Sequence, residues 1–286
     1  MTQVSIIGLG AMGAALAACL LENDYEVTVW NRSREKAVPL VAAGATLAAS
    51  AEDAIAASPI TIVCIKNHLE TFRLLEPIKD VWQGKTICDL STGDSVDADR
   101  LVSFLQSNGA DYMIGIINAY PSGIGKDSTT IITVAVEETW TRHAGVIKTL
   151  GGRSTYIGTE PSALTALFAA LFTTRQGFMF GMIYGALVCE KAGVPLQVFS
   201  DQIPVSIEMN NNYYKTFAAT VPDANYDNPE ASMATYAAAL DDALSTFKSN
   251  GTPAELPQLF CDMVHKAMKD GLAEKQLTAL VQHMLI

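Results

Sequence analysis

Three glycines spaced to receive a phosphate open the sequence. Gly8-Leu9-Gly10-Ala11-Met12-Gly13 follows the β-rich run Val4-Ser5-Ile6-Ile7 and leads into an Ala/Leu-rich stretch ending near Glu22. In such a loop Gly8 permits the tight turn, Gly10 lets backbone approach a pyrophosphate, and Gly13 lets helix pack closely on strand. The helix N-terminus adds free N–H groups and partial positive charge. G-x-G-x-x-G alone is a weak pattern. Here it sits between strand and helix in a βαβ unit of roughly 30 residues, the context that makes it a dinucleotide site.

The end of the next β-rich run, Glu26 to Trp30, selects the cofactor. NAD sites commonly place an acid there, about 20 residues past the glycines, to hold the ribose hydroxyls. This chain has Asn31-Arg32-Ser33-Arg34-Glu35-Lys36. The acid is replaced by an amide, and three cations and a hydroxyl follow. That set suits a 2′-phosphate: Arg32 stacks on adenine or grips the phosphate, with Ser33 and Lys36 as further donors. Arg34 and Lys36 also read as solvated surface charge. The expectation is NADPH in strong preference to NADH. Ile65 and Thr92, at the ends of later strands, complete the expected cofactor-binding set of Gly8, Leu9, Gly10, Ala11, Met12, Gly13, Asn31, Arg32, Ser33 and Lys36.

The elements that must position these residues alternate strand and helix. Further β-rich runs occupy 60–65, 86–90 and 130–136. Strands separated by helical stretches predict right-handed βαβ units and a parallel sheet covered on both faces. Beyond Gly151-Gly152 the pattern is helical almost throughout. The fold class is therefore α/β: an N-terminal Rossmann domain over 1–158 and an all-α domain over 159–286. A long inter-domain helix is expected at about 162–192.

Composition narrows the class. With 49% hydrophobic and 17% charged residues over 286 positions, the chain is too apolar for disorder. A net charge of −11 argues against a nucleic-acid or polybasic membrane surface. Five scattered cysteines, without a C-x-x-C pair, read as free thiols in a reducing compartment. Met1-Thr2-Gln3 lacks the charged start of a signal peptide, so a cytoplasmic location is expected. The stretch 163–189 is apolar enough to suggest a membrane span, yet Thr173-Thr174-Arg175-Gln176 occupies its middle. The better reading is a helix buried on nearly all sides between domains or subunits, and hence a dimer. His68, His143, His265 and His283 lack ligand-like spacing, so no metal is expected.

The sequence resembles the β-hydroxyacid dehydrogenase superfamily and, within it, the imine reductases and reductive aminases. The resemblance rests on the glycine loop, on Val29-Trp30-Asn31-Arg32-Ser33 through Leu40, on Asp89-Leu90-Ser91-Thr92-Gly93, and on Asn118-Ala119-Tyr120-Pro121-Ser122-Gly123-Ile124-Gly125. It extends weakly to Tyr156–Pro161 and 251–256. It implies a 6-phosphogluconate dehydrogenase-like C-terminal domain and a homodimer with intertwined helices. Each active site then lies between one subunit's Rossmann domain and the other's helices.

Departures bear on the chemistry. Hydroxyacid dehydrogenases of the superfamily carry a lysine on the long helix, whereas this chain has none between Lys148 and Lys191. An alkoxide would lack its proton partner, which disfavours alcohol oxidation. Imine reductases usually place Asp or Tyr on that helix; the resemblance lays the position on Phe168, and the reductive aminases' further tyrosine near Gln176. Gln176, alone or with Thr173, orients an imine or water, or else these groups hydrogen-bond within a dimer core. Thr92 and Asn118 are expected beside the nicotinamide, and Tyr184 in a packing role. Phe168 and Phe172 offer aromatic faces to a cationic substrate. The expected catalytic set is thus Gln176, Thr92 and Phe168. The expected activity is NADPH-dependent reduction of a cyclic imine or iminium. The alternatives are a hydroxyacid-dehydrogenase-like carbonyl reductase and a dimeric NADPH-binding protein with little catalysis.

Overall fold

The structure, a computed structural model, describes residues 2–284. It comprises two compact units, Met1–Phe172 and Thr173–Ile286. In the first unit the chain runs β1 (Gln3–Ile7), α1 (Ala11–Glu22), β2 (Glu26–Trp30), α2 (Val38–Ala42), β3 (Thr46–Leu47), α3 (Ala51–Ala57) and β4 (Ile60–Val63). It continues through α4 (His68–Leu75), β5 (Thr86–Asp89), α5 (Ser95–Ser107), β6 (Asp111–Ile117), β7 (Ile131–Ala135), α6 (Glu137–Leu150) and β8 (Thr155–Tyr156). Then α7 (Pro161–Lys191) begins, and the division by compactness falls inside it, further along than the expected line at 158.

The eight strands form one sheet in the order β3-β2-β1-β4-β5-β6-β7-β8. Its register matters for function. Ile7 is level with Trp30 on one side and Val63 on the other, and Val63 is level with Asp89. Four carboxyl ends therefore line up, and the loops beginning at Gly8, Asn31, Cys64 and Leu90 leave from one edge. The strand order reverses beside β1, the point where doubly wound sheets open a crevice for ligand.

The sheet is not wholly parallel, contrary to the expectation. β7 runs antiparallel to β6, and β8 follows β7 in parallel. Between Ile117 and Ile131 there is only a single 3₁₀ turn, Pro121–Gly123. That connection forms no α-helix to carry a parallel crossover over a face of the sheet, and the chain turns back on itself instead.

Alternation along the strands builds a core on each face. Val4 and Ile6 pack with Leu16, Leu20 and Ile147 on one side; Ile7 and Val63 pack with Ile55, Leu101 and Leu105 on the other. β5, β4 and β7 are buried at every position, as expected of strands covered on both faces.

The second unit contains the rest of α7, then α8 (Leu196–Thr220), α9 (Met233–Ser249), α10 (Glu255–Ala267) and α11 (Leu280–Met284). Its small core joins Tyr226, Met233, Ala237, Val264, Ala267 and Ala279. The expectation of a long helix covered on nearly all sides is not met within one chain. Only Pro161 and Leu164 of α7 are buried, while Phe180 and Ile183 are 51% and 53% exposed. α8 buries no residue at all, and Val205, Met209 and Tyr214 stand in solvent. By length and composition alone α7 would cross a membrane, but Arg175 lies at its middle.

Candidate functional site

The glycine loop is built as its sequence requires. Gly8 has φ +95°, and a Cβ there would lie 2.4 Å from the Cys64 carbonyl oxygen. A Cβ on Gly13 would lie 1.9 Å from the Gly8 carbonyl oxygen, so only glycine lets α1 approach β1. Gly10 differs: no atom lies within 4 Å of its would-be Cβ. The first two glycines named serve packing, and the third keeps open space above the start of α1.

That helix start is left unsatisfied on purpose of sequence. Ser50, Asn67 and Asp94 cap α3, α4 and α5 with side-chain oxygens, whereas Gly10 offers α1 no side-chain cap. The first N–H groups of α1 remain available to an anion at the positive end of the helix.

The neighbouring loop is tied to this one. Asn31 Oδ1 accepts the Leu9 backbone N–H at 2.9 Å, and Asn31 Nδ2 donates to the Ser33 carbonyl oxygen at 2.9 Å. The amide thus holds both loops together rather than merely standing where an acid is missing. Gly8, Asn31, Arg32, Ser33, Lys36 and Ile65 line one cleft of about 470 Å³. The same cleft gains Trp30, Lys66, Glu70, Arg73 and Leu74. Sequence reasoning missed these, apart from the strand-end position of Trp30. Arg73 pairs with Glu70 at 2.7 Å. With Arg32, Lys36, Lys66 and Arg73 against Glu70 alone, the lining is cationic in a chain of net charge −11.

The other expected site residues are placed as follows. Leu9 is buried, while Ala11 and Met12 form the first turn of α1. Thr92 is exposed just beyond β5, and Asn118 just beyond β6, both at the loop-bearing end of their strands. Neither lines the cationic cleft. Phe168 is half-buried and stacks on Phe172 with ring centroids 5.6 Å apart. In the second unit, Gln176 is half-buried. Tyr184 donates to Glu255 Oε2 at 3.1 Å and leans on Phe247. Among the described residues no group of His, Cys, Asp and Glu is gathered to hold a metal ion. A larger cleft of about 720 Å³ lies within the second unit, where Lys275 and Asp227 are paired with each other.

An uncapped helix start, an open Gly10 and a cationic loop after β2 fit a phosphorylated dinucleotide. Comparison with known proteins agrees. The family model of the NAD binding domain of 6-phosphogluconate dehydrogenase matches residues 3–158, and that of the NADPH-dependent reductive aminase-like C-terminal domain matches residues 163–285. An imine reductase from Pseudomonas sp. superposes with a TM-score of 0.92 at 31% identity, over 99% of both chains. The chain belongs to the imine reductase and reductive aminase family. A reductive aminase from Aspergillus terreus, solved with NADPH4, cyclohexanone and allyl amine, superposes with a TM-score of 0.89 at 28% identity, over 99% of both chains. The NADPH-dependent reductive aminase of Aspergillus oryzae is 24% identical over 99% of this chain and 97% of its own.

Proposed function

We propose that this imine reductase family member reduces the C=N bond of a cyclic imine or iminium to an amine, using NADPH. The observation that carries the reading is the open, uncapped start of α1 joined by Asn31 to the cationic Arg32-Ser33 loop. Bound NADPH supplies the hydride. The chain's own residues supply the rest. The α1 N-terminus and the Gly10 backbone hold the pyrophosphate, and Arg32, Ser33 and Lys36 hold the 2′-phosphate. Ile65 lines the same cleft. Thr92 orients the nicotinamide end, since the crevice of a doubly wound sheet carries the dinucleotide across its strand ends.

Phe168 and Phe172 shape the substrate surface and present aromatic faces to a cationic substrate. Gln176 orients the imine or a water. No lysine stands on α7 before Lys191, so nothing there serves an alkoxide. Positioning and electrostatics then provide the catalysis.

Residues 1–158 bind the cofactor, and residues 159–286 carry dimerisation and substrate binding. The exposed apolar faces of α7 and α8 are covered by the same helices of a second copy, giving an intertwined homodimer. Covering a side chain such as Ile183 or Phe180 contributes about 1.5–3 kcal/mol. With its cysteines free and α7 buried in that dimer, the protein works in the reducing cytoplasm.

A panel of a pyrroline, a dihydroisoquinoline and a carboline tests the reading. Turnover with NADPH, far above that with NADH, is expected. Cofactor binding without turnover of any imine would overturn it, as would turnover of 3-hydroxyacids alone. Equal efficiency with NADH would overturn the role of Arg32, Ser33 and Lys36, and a monomer at micromolar concentration in sedimentation would overturn the dimer.

A further inference from the structure

Beneath Ser91-Thr92-Gly93 lies a buried polar cluster that does not line the cofactor cleft. His68 opens α4 and is 2% exposed; Asp89 ends β5 and is fully buried. His68 Nδ1 and Asp89 Oδ2 are 2.9 Å apart. Asp89 Oδ1 accepts from the Ser91 backbone N–H at 3.0 Å and from the Thr71 hydroxyl at 3.2 Å. Nδ1 is the ring nitrogen that faces Asp89. Ser91 Oγ accepts the Ile65 N–H at 3.1 Å. The His68 backbone N–H donates to the Thr92 carbonyl oxygen at 3.2 Å. From the other side the ring meets Gly93, where a Cβ would lie 2.6 Å from His68 Cδ2.

This cluster is more than a helix cap. Asn67 already caps α4, its Oδ1 accepting the Glu70 N–H at 2.9 Å. Burying a carboxylate against an imidazole costs desolvation, and one-sided loss of such a pair is expensive. What the pair achieves is geometric. Ser91 is held by Asp89, Thr92 by the His68 backbone N–H, and Gly93 packs on the imidazole, while Ser91 also receives the Ile65 N–H just beyond β4.

The geometry points to His68 as a positioning residue: its imidazole, oriented by Asp89, fixes the Ser91-Thr92-Gly93 turn and thereby sets Thr92 against the nicotinamide half of NADPH. The inference rests on the cofactor site proposed above and adds to it a residue that touches neither cofactor nor substrate. It predicts an asymmetric effect. Disturbing the ring weakens the hold on the nicotinamide half and leaves the adenosine half untouched.

The experiment measures dissociation constants of NADPH and of 2′,5′-ADP, which lacks the nicotinamide, for the full chain and three variants. His68→Asn keeps a donor where Nδ1 stands, and both constants are expected to stay within about twofold of the parent. His68→Gln carries its amide further out and leaves Asp89 without its partner; NADPH affinity is expected to fall about tenfold, the scale of one hydrogen bond, with 2′,5′-ADP unchanged. Gly93→Ala, at an exposed turn, pushes the ring from the opposite side and is expected to show the same asymmetry. It keeps the test open if His68→Gln does not fold. Equal weakening of both ligands, or no weakening in either variant, would overturn the inference while leaving the cofactor reading intact. A parent chain that bound neither ligand would overturn both.

Discussion

Asn31 Oδ1 accepts the Leu9 backbone N–H at 2.9 Å, tying the end of β2 to the middle of the glycine loop. Its Nδ2 is used as well, toward the Ser33 carbonyl oxygen. Asn31→Asp keeps the first bond, loses the second and sets a negative charge beside the expected 2′-phosphate. The Michaelis constant for NADPH is expected to rise tenfold or more, about 1.4 kcal/mol. An unchanged constant in steady-state kinetics would show that the loop is held by other means.

The glycines of the loop are expected to fail in different ways. Gly13→Ala forces a Cβ onto the Gly8 carbonyl oxygen and should destabilise the fold by a few kcal/mol. Gly10→Ala meets nothing in the protein, so its melting temperature should match the parent's while NADPH affinity is lost. Thermal unfolding beside cofactor titration separates the two. A destabilised Gly10→Ala with normal affinity would contradict the assignment of that space to the pyrophosphate.

The legibility of the sequence followed the range of the interactions. The glycine loop could be read because φ and clearance at Gly8 and Gly13 are demands of a single local turn. The cations after β2 could be read for the same reason. Asn31 was legible only as a missing acid, because its partner Leu9 lies across the sheet edge and its role appears once β1 and β2 are paired. Lys66 and Arg73 reach the cleft only because β4 sits next to β1, which no local pattern states. The same holds for His68 and Asp89, which meet through the pairing of β4 with β5. The reversal at β7 was missed because its residues suit either direction, and the lack of a crossover helix in the connection decides it. For α7 the apolar content was plain, but the chain itself buries only Pro161 and Leu164 of that helix.

Phe168 stacks on Phe172. Phe168→Ala is expected to raise the Michaelis constant for cationic cyclic imines about three- to fivefold, the loss of up to 1 kcal/mol of aromatic contact, with a smaller effect on kcat. If kinetics were unaltered for every imine accepted, Phe168 would have no part in binding substrate.

Buried His143 makes the fold acid-sensitive. Its Nε2 lies 3.0 Å from Thr86 Oγ1. Burial, with a further push from Arg142 and opposition from Asp111, lowers its pKa from 6.5 to about 4. As pH falls between these values the unfolded chain takes up a proton that the folded chain refuses. The stabilisation is therefore complete above the unfolded value and is lost as pH falls toward the folded one. Urea midpoints should drop across that window, and less so in His143→Gln. An equal drop in both proteins would contradict this source.

Hydride delivery to a C=N carbon is the centre of the account, and isotope transfer tests it most directly. A dihydroisoquinoline is incubated with NADPH carrying deuterium at the transferable C4 position, and the product is examined by mass spectrometry. The account predicts a tetrahydroisoquinoline bearing one deuterium on the former imine carbon, formed in step with cofactor oxidation. Bound cofactor with no labelled amine from this or any other cyclic imine would contradict it.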